Sequence, residues 1–140
     1  MSDGQTIVPL LRYADARTAI GWLGAAFGFV ELFSVPPDGP VVRHAQLSLR
    51  GNIVMLGSVR ADDGMQSPAT AGTCTQAICV FIGTDAAAVD AHCERARKAG
   101  ARIVSPPQDT DFGAREYHVL DCEGHPWTFG TYRPPSVADG

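Results

Sequence analysis

Several things are scarce in this 140-residue chain, and each scarcity removes a class of function. No apolar run approaches the ~18 residues that a membrane-spanning helix needs, so no membrane partner is expected. There is no basic stripe: 11 Lys and Arg stand against 15 Asp and Glu, the net charge is −4, and the cations are scattered. Nucleic-acid binding, which uses clustered cations to displace counterions, is therefore not expected. The one local group, Arg95, Arg97, Lys98 and Arg102, falls late in a helical pattern, where cations suit the negative end of the helix dipole. The four cysteines (Cys74, Cys79, Cys93 and Cys122) show no Cys-x-x-Cys spacing and are too few to staple a chain this long, so reduced thiols are expected. The opening MSDGQT has an acid where a secretory signal would carry basic and then apolar residues, which makes the cytoplasm the expected location. A Gly-x-Ser-x-Gly elbow and a phosphate-binding glycine loop are also missing.

What remains is a globular composition, 45% hydrophobic and 19% charged, in a chain written twice. A strand-like run from Thr6 to Tyr13 precedes DARTAIGWLGAAFGF (Asp15 to Phe29), where Asp15 is a good N-cap and Ala19, Ile20, Leu23, Ala26 and Phe27 recur at helical spacing. Some seventy residues on, AICVFIGT (Ala77 to Thr84) precedes a second helical pattern, capped by Asp85, striped by Val89, Cys93 and Ala96, and stopped at Gly100. HAQLSLRGNIVMLG (His44 to Gly57) aligns without gaps on YHVLDCEGHPWTFG (Tyr117 to Gly130), with Leu47 on Leu120, Gly51 on Gly124 and Gly57 on Gly130. Each of these segments reads as two short strands around a glycine turn. Adding strands from Val30 to Val35 and from Arg102 to Pro107 makes each half β-α-β-β-β. The expected organisation is a first module over 1–60, an irregular linker over 61–73, a second module over 74–134 and a tail over 135–140, all within one structural domain.

The segments DARTAIGWLGAAFGF and DFGAREYHVLDCEGHPWTFGTY (Asp111 to Tyr132) resemble the vicinal oxygen chelate superfamily, in its glyoxalase and bleomycin-resistance-like branch. The resemblance implies an α+β fold in which two tandem β-α-β-β-β modules form a curved mixed-sheet cup, commonly in a homodimer. It does not imply one activity, because isomerases, lyases, dioxygenases, thiol transferases and drug-sequestering proteins share the fold. Enzymes of the superfamily usually hold a divalent metal with His, Glu or Gln from the first and last strands of each module. The matching positions here are Val8, Met55, one of Ala77, Ile78 and Cys79, and Thr128. None is a histidine or a carboxylate, so neither a metal nor any other cofactor is expected.

Strand alternation supplies candidate ligand contacts. His44 and Gln46 share a phase opposite to Ala45 and Leu47, which aims them into the cup. The repeat alignment gives Arg115 and Tyr117 the same phase. Arg115 then reads either as a hook for an anion or as an ion-pair partner of a nearby carboxylate, and Tyr117 as a ring to stack. Val8, Leu10 and Met55 would form an apolar floor beside Thr128, with Phe33 and Phe112 at the mouth. Trp22 and Trp127 read as core, His92 as surface, and His118 and His125 as structural. Two readings follow: a metal-free protein that binds a small aromatic or anionic molecule, or a lyase, isomerase or dioxygenase. The second would need a non-standard metal site or acid/base chemistry by His44, Tyr117 or Glu116.

Overall fold

The computed structural model describes residues 4–138. Strand β1 (Leu10–Tyr13) leads into helix α1 (Ala16–Phe27), then β2 (Val30–Val35), β3 (His44–Leu49) and β4 (Asn52–Ser58). A one-turn helix, α2 (Pro68–Ala71), precedes β5 (Ile78–Phe81), α3 (Ala86–Lys98), β6 (Arg102–Asp109), β7 (Arg115–Leu120) and β8 (Pro126–Gly130). The strands form two mixed sheets, ordered β1-β4-β3-β2 and β5-β8-β7-β6. In each sheet the first strand runs parallel to the last and the other neighbours are antiparallel. This is the α+β arrangement of two repeated modules, with the sheets left unclosed.

Local chemistry explains the elements. The Asp15 carboxylate accepts from Thr18 N (3.3 Å) at the start of α1, and Gly28 closes it at φ +89°, a left-handed conformation that glycine adopts without steric penalty. Asp85 caps α3 in the same way through Ala87 N (3.0 Å). Strand β1 is shorter than the run Thr6 to Tyr13 suggested, because Pro9 has no N–H to give a ladder. Its carbonyl still accepts from Met55 N (2.9 Å). Pro106 and Pro107 are tolerated in β6 because it is an edge strand with irregular register. Helix α2 stands inside the stretch expected to be irregular, where Ser67 caps it and Pro68 needs no amide partner in its first turn.

Both helices lie on the same side of the sheets and pack against each other. One hydrophobic cluster therefore serves both modules. Phe27, at the end of α1, sits among second-module rings: its centroid is 4.7 Å from Phe129 and 5.5 Å from Trp127. Burying each such ring stabilises the fold by roughly 1.5–3 kcal/mol. Polar stitches follow the same route. Trp22 Nε1 donates to the Ala99 carbonyl (2.7 Å), and Arg95 donates to the Gly24 and Ala25 carbonyls (2.9 and 2.8 Å). The basic end of α3 thus adds donors to the carbonyls at the end of α1 as well as suiting its own dipole.

Candidate functional site: an open sheet face and the seam that divides it

The helices cover one face of each sheet and leave the other open. In the first module, Ala45, Leu47, Val54 and Leu56 are buried against the helices, and His44, Gln46 and Met55 alternate onto the open face. This is the orientation that strand alternation predicted for them. Leu10 is the ladder partner of Met55, Phe33 of Gln46, and Val35 of His44, so the open face of this sheet is mainly apolar. His44 and Gln46 interrupt it as a bonded pair, with Gln46 Nε2 3.2 Å from His44 Nε2. Val8 lies before β1 and half-buried.

The second module corrects two orientations. Tyr117 is fully buried on the helix side, with its hydroxyl 2.5 Å from His92 Nδ1. Arg115 shares that side, and its guanidinium bonds Asp90 of α3 (2.9 Å) and Asp109 of β6 (3.0 Å). The ion pair, not the anion hook, is therefore what Arg115 forms, and Tyr117 does not face the cup.

The cause is one residue. In the first hairpin Leu49 pairs with Asn52, leaving the two-residue turn Arg50-Gly51 with φ +53° and +80°. In the second, Asp121 N bonds the His125 carbonyl (2.9 Å) around a three-residue turn, Cys122 to Gly124. A gap-free alignment is thus correct after the turn and one residue out before it, and a one-residue slip exchanges the two faces of a strand. Structurally, Ala45 matches Tyr117 and Gln46 matches His118. The glycine matches beyond the turn hold for a physical reason: a Cβ at Gly57 would come 2.8 Å from the Arg43 carbonyl, and one at Gly130 2.8 Å from the Arg115 carbonyl.

His118, expected to be structural, accordingly takes the open face. Its Nδ1 lies 2.6 Å from Thr128 Oγ1, and its Nε2 lies 3.6 Å from Glu116 Oε1. Thr128 faces that side as expected, beside its ladder partner Cys79. Turn length alone would have shown the flip, had the two turns been counted as two residues against three.

His92, expected at the surface, is wedged between modules. Its Nε2 donates to the Phe27 carbonyl (3.0 Å), which leaves Nδ1 to accept from Tyr117. Burial holds its pKa below the ordinary histidine value, and burial also pushes the Tyr117 hydroxyl up. Trp127 faces the helices as expected, and its Nε1 donates to Asp121 Oδ2 (3.1 Å). His125 is buried and donates to the Arg12 carbonyl (2.9 Å). Phe112 packs on Tyr132 in an exposed pair, ring centroids 5.5 Å apart.

Between the sheets, β1 and β5 are edge strands that face each other without a ladder. The seam contains two clefts. One, of about 440 Å³, runs between Leu10 to Arg12 and Cys74 to Ile78, under the segment Gly64 to Gln66. That segment is anchored by Asp63, which accepts from Arg12 Nε (2.9 Å), and Glu123 accepts from Ser67 and from the amides of Ala14 and Asp15. The other cleft, of about 380 Å³, opens at the opposite end between Ile7, Pro9 and Ile53 on one side and Ile78 to Phe81 on the other.

The superfamily's metal can be tested against these side chains. The ladder-paired inward positions are Leu10 with Met55 and Cys79 with Thr128. Two aliphatic or thioether groups, one thiol and one hydroxyl do not fit a divalent ion that takes imidazole and carboxylate. Among the described residues no three His, Cys, Asp or Glu side chains stand together. No helix among them is long and apolar enough to cross a membrane.

Comparison with known proteins agrees with the architecture. The sequence profile of the Glyoxalase/Bleomycin resistance protein/Dioxygenase superfamily matches residues 6–129, and the chain belongs to that superfamily. An uncharacterized protein of Mycobacterium bovis is 38% identical over 130 residues, covering 87% of this chain and 80% of that protein. TioX from Micromonospora sp. ML1 is 34% identical over 95% of this chain and 100% of its own, with a TM-score of 0.72. The fosfomycin resistance protein FosX from Mesorhizobium loti shares the fold at 16% identity and a TM-score of 0.63, covering 95% of each chain.

Proposed function

We propose that this protein binds a small organic molecule on its open sheet face, without a metal ion, as a cytoplasmic homodimer. The carrying observation is the contrast at the centre of that face. The positions matched to the superfamily's metal ligands hold Val8, Met55, Cys79 and Thr128, with Leu10 opposite Met55 in the ladder, while the face itself stays open. Leu10, Met55 and Phe33 supply apolar contact, and Met55 adapts to varied shapes. His44, Gln46, Thr128 and His118 supply hydrogen bonds. Such a surface, largely apolar with few polar groups, suits sequestration of a ligand rather than its activation.

The test is to incubate the protein with Ni, Zn, Mn, Co and Fe(II) in turn, dialyse, and count bound metal. The expected result is none retained. About one ion per chain would overturn the metal-free reading.

A second reading rests on a specific contact. His118 stands between the Thr128 hydroxyl and the Glu116 carboxylate, the order in which an imidazole can take a proton while a carboxylate orients it. Acid/base chemistry on a bound ligand would then centre on His118. His118→Ala would abolish turnover while weakening binding by no more than one lost hydrogen bond, roughly tenfold. Tyr117, with its hydroxyl committed to His92, is not part of it.

A further inference from the structure

The cleft at the open end of the seam joins an apolar interior to a cationic rim. Its walls are apolar, with Ile53, Ile78 and Val80 at the sides and Phe29 and Trp127 towards the core. No aspartate or glutamate lines it, although the chain carries a net −4. At its rim two guanidinium groups converge on one ring: the central carbon of Arg50 lies 5.6 Å from the Phe81 centroid and that of Arg133 5.3 Å.

The other polar side chains at the cleft are already engaged. Gln5 uses both ends of its amide on β4 and its own segment: Oε1 accepts from Ile53 N (2.5 Å), and Nε2 donates to the Ile53 and Ile7 carbonyls (2.9 and 2.8 Å). Asn52 donates back to the Arg50 carbonyl (3.3 Å). By contrast, Arg50 and Arg133 have no carboxylate or hydrogen-bond acceptor among the described residues; exposed Arg43 and Arg102 share that state, but Arg50 and Arg133 are the pair that stands at this cleft. Arg50 is also the one non-glycine residue at positive φ among the described residues, at +53°. That position of a two-residue turn favours Asn, Asp or Gly, so arginine is held there under strain.

From these observations we infer that the cleft is the anion-recognising part of the ligand site, and that its ligand is a planar aromatic carboxylate. The ring enters between the apolar walls towards Trp127, and the carboxylate meets Arg50 and Arg133 at the rim. A guanidinium grips a carboxylate through two parallel hydrogen bonds, and Phe81 holds both cations at the entrance by cation–π attraction. Cys79, which lines the cleft, is the ladder neighbour of Thr128 on the open face. The inference thus rests on the small-molecule reading given above and adds its ligand class. It also transfers the anion hook from Arg115, which is paired, to two arginines that are not.

The experiment compares 2-naphthoate with neutral 2-naphthalenemethanol by calorimetry and by tryptophan fluorescence. It uses the full-length protein and the variants Arg50→Gln, Arg133→Gln and Arg60→Gln. Arg60 is an exposed residue at the end of the first module, away from this cleft, and controls for lost charge. The wild type should bind 2-naphthoate at least roughly tenfold more tightly than the alcohol, since a hydrogen bond to a charged group contributes about 1.5–3 kcal/mol. Arg50→Gln and Arg133→Gln should each remove most of that preference and leave the alcohol's affinity unchanged, and Arg60→Gln should behave as wild type. Equal binding of both compounds, or a preference that survives in both cleft variants, would overturn the arginine assignment while the small-molecule reading stands. If neither compound binds, both fall.

Discussion

The two modules share one topology, and a one-residue difference in the length of one turn sets which residues of the preceding strand each shows to a ligand. In the first, the two-residue turn Arg50-Gly51 sends Ala45 and Leu47 inward and His44 and Gln46 outward. In the second, the three-residue turn Cys122 to Gly124 sends Tyr117 and Val119 inward and Glu116 and His118 outward. The first open face is mainly apolar, with one imidazole–amide pair. The second is polar, with an imidazole between hydroxyl and carboxylate. A duplicated fold can thus carry two different half-sites without any change of architecture, because turn length sets strand parity.

The strongest way to break the comparison is to delete Cys122. A two-residue second turn would drive Glu116 and His118 towards the core in place of Tyr117 and Val119. Burying such groups without partners costs several kcal/mol each, comparable with the ~5–15 kcal/mol that holds a domain together. The expected outcome is loss of cooperative thermal unfolding; a normal transition with the native near-UV spectrum would contradict the parity account.

Next in size is a matched pair at equivalent core positions, Leu56→Ala and Phe129→Ala. Phe129 contacts the rings of Phe27, His92, Tyr117 and Trp127, so its loss should cost about 3–5 kcal/mol, at or above the ~2–5 kcal/mol for Leu56. Urea denaturation measures both, and a larger loss at Leu56 would place the core's centre in the first module.

Asp121→Asn sharpens the contrast between turns. Asp121 accepts from Tyr13 (2.5 Å), Trp127 (3.1 Å) and the amides of Glu123 and His125 (3.0 Å each), a set with no counterpart at Arg50-Gly51. The substitution should destabilise by about 1–3 kcal/mol. A melting temperature equal to wild type would show that the network does not hold the turn.

The pH dependence follows from His92. Its folded pKa is depressed below the ordinary value near 6.5, so the unfolded chain binds a proton more readily. The stability from neutral His92 is complete above about pH 6.5 and falls as the pH drops towards the lower folded value. Thermal melts between pH 7.5 and 5 should show this decline, and His92→Gln should flatten it. An unchanged slope in the variant would assign the decline elsewhere.

The smallest effect is expected at Arg115→Gln. Its exposed ion pairs contribute little, and 2-naphthoate affinity should stay within roughly twofold of wild type. A tenfold loss would return the anion site to Arg115.

The repeat, the helices and the module order were all legible in the sequence, because caps, glycine stops and helical stripes act over a few residues. The open-face placement of His44, Gln46, Met55 and Thr128 was legible too, since each follows from alternation within one strand or from the correctly aligned segment after the turn. Tyr117 and His118 exchanged faces because a gap-free match hides a one-residue insertion. His92 was misjudged because its partners, Phe27 and Tyr117, are 65 and 25 residues away.

The sequence by itself determined the duplicated β-α-β-β-β architecture and its boundaries near Asp15, Asp85 and Gly100. Only the tertiary structure decided which second-module side chains face outward and which arginines are left unpaired. It also decided that β1 and β5 flank an open seam. Those outcomes depend on distances between residues far apart in the chain, where packing of one module against the other, and not local propensity, selects the arrangement.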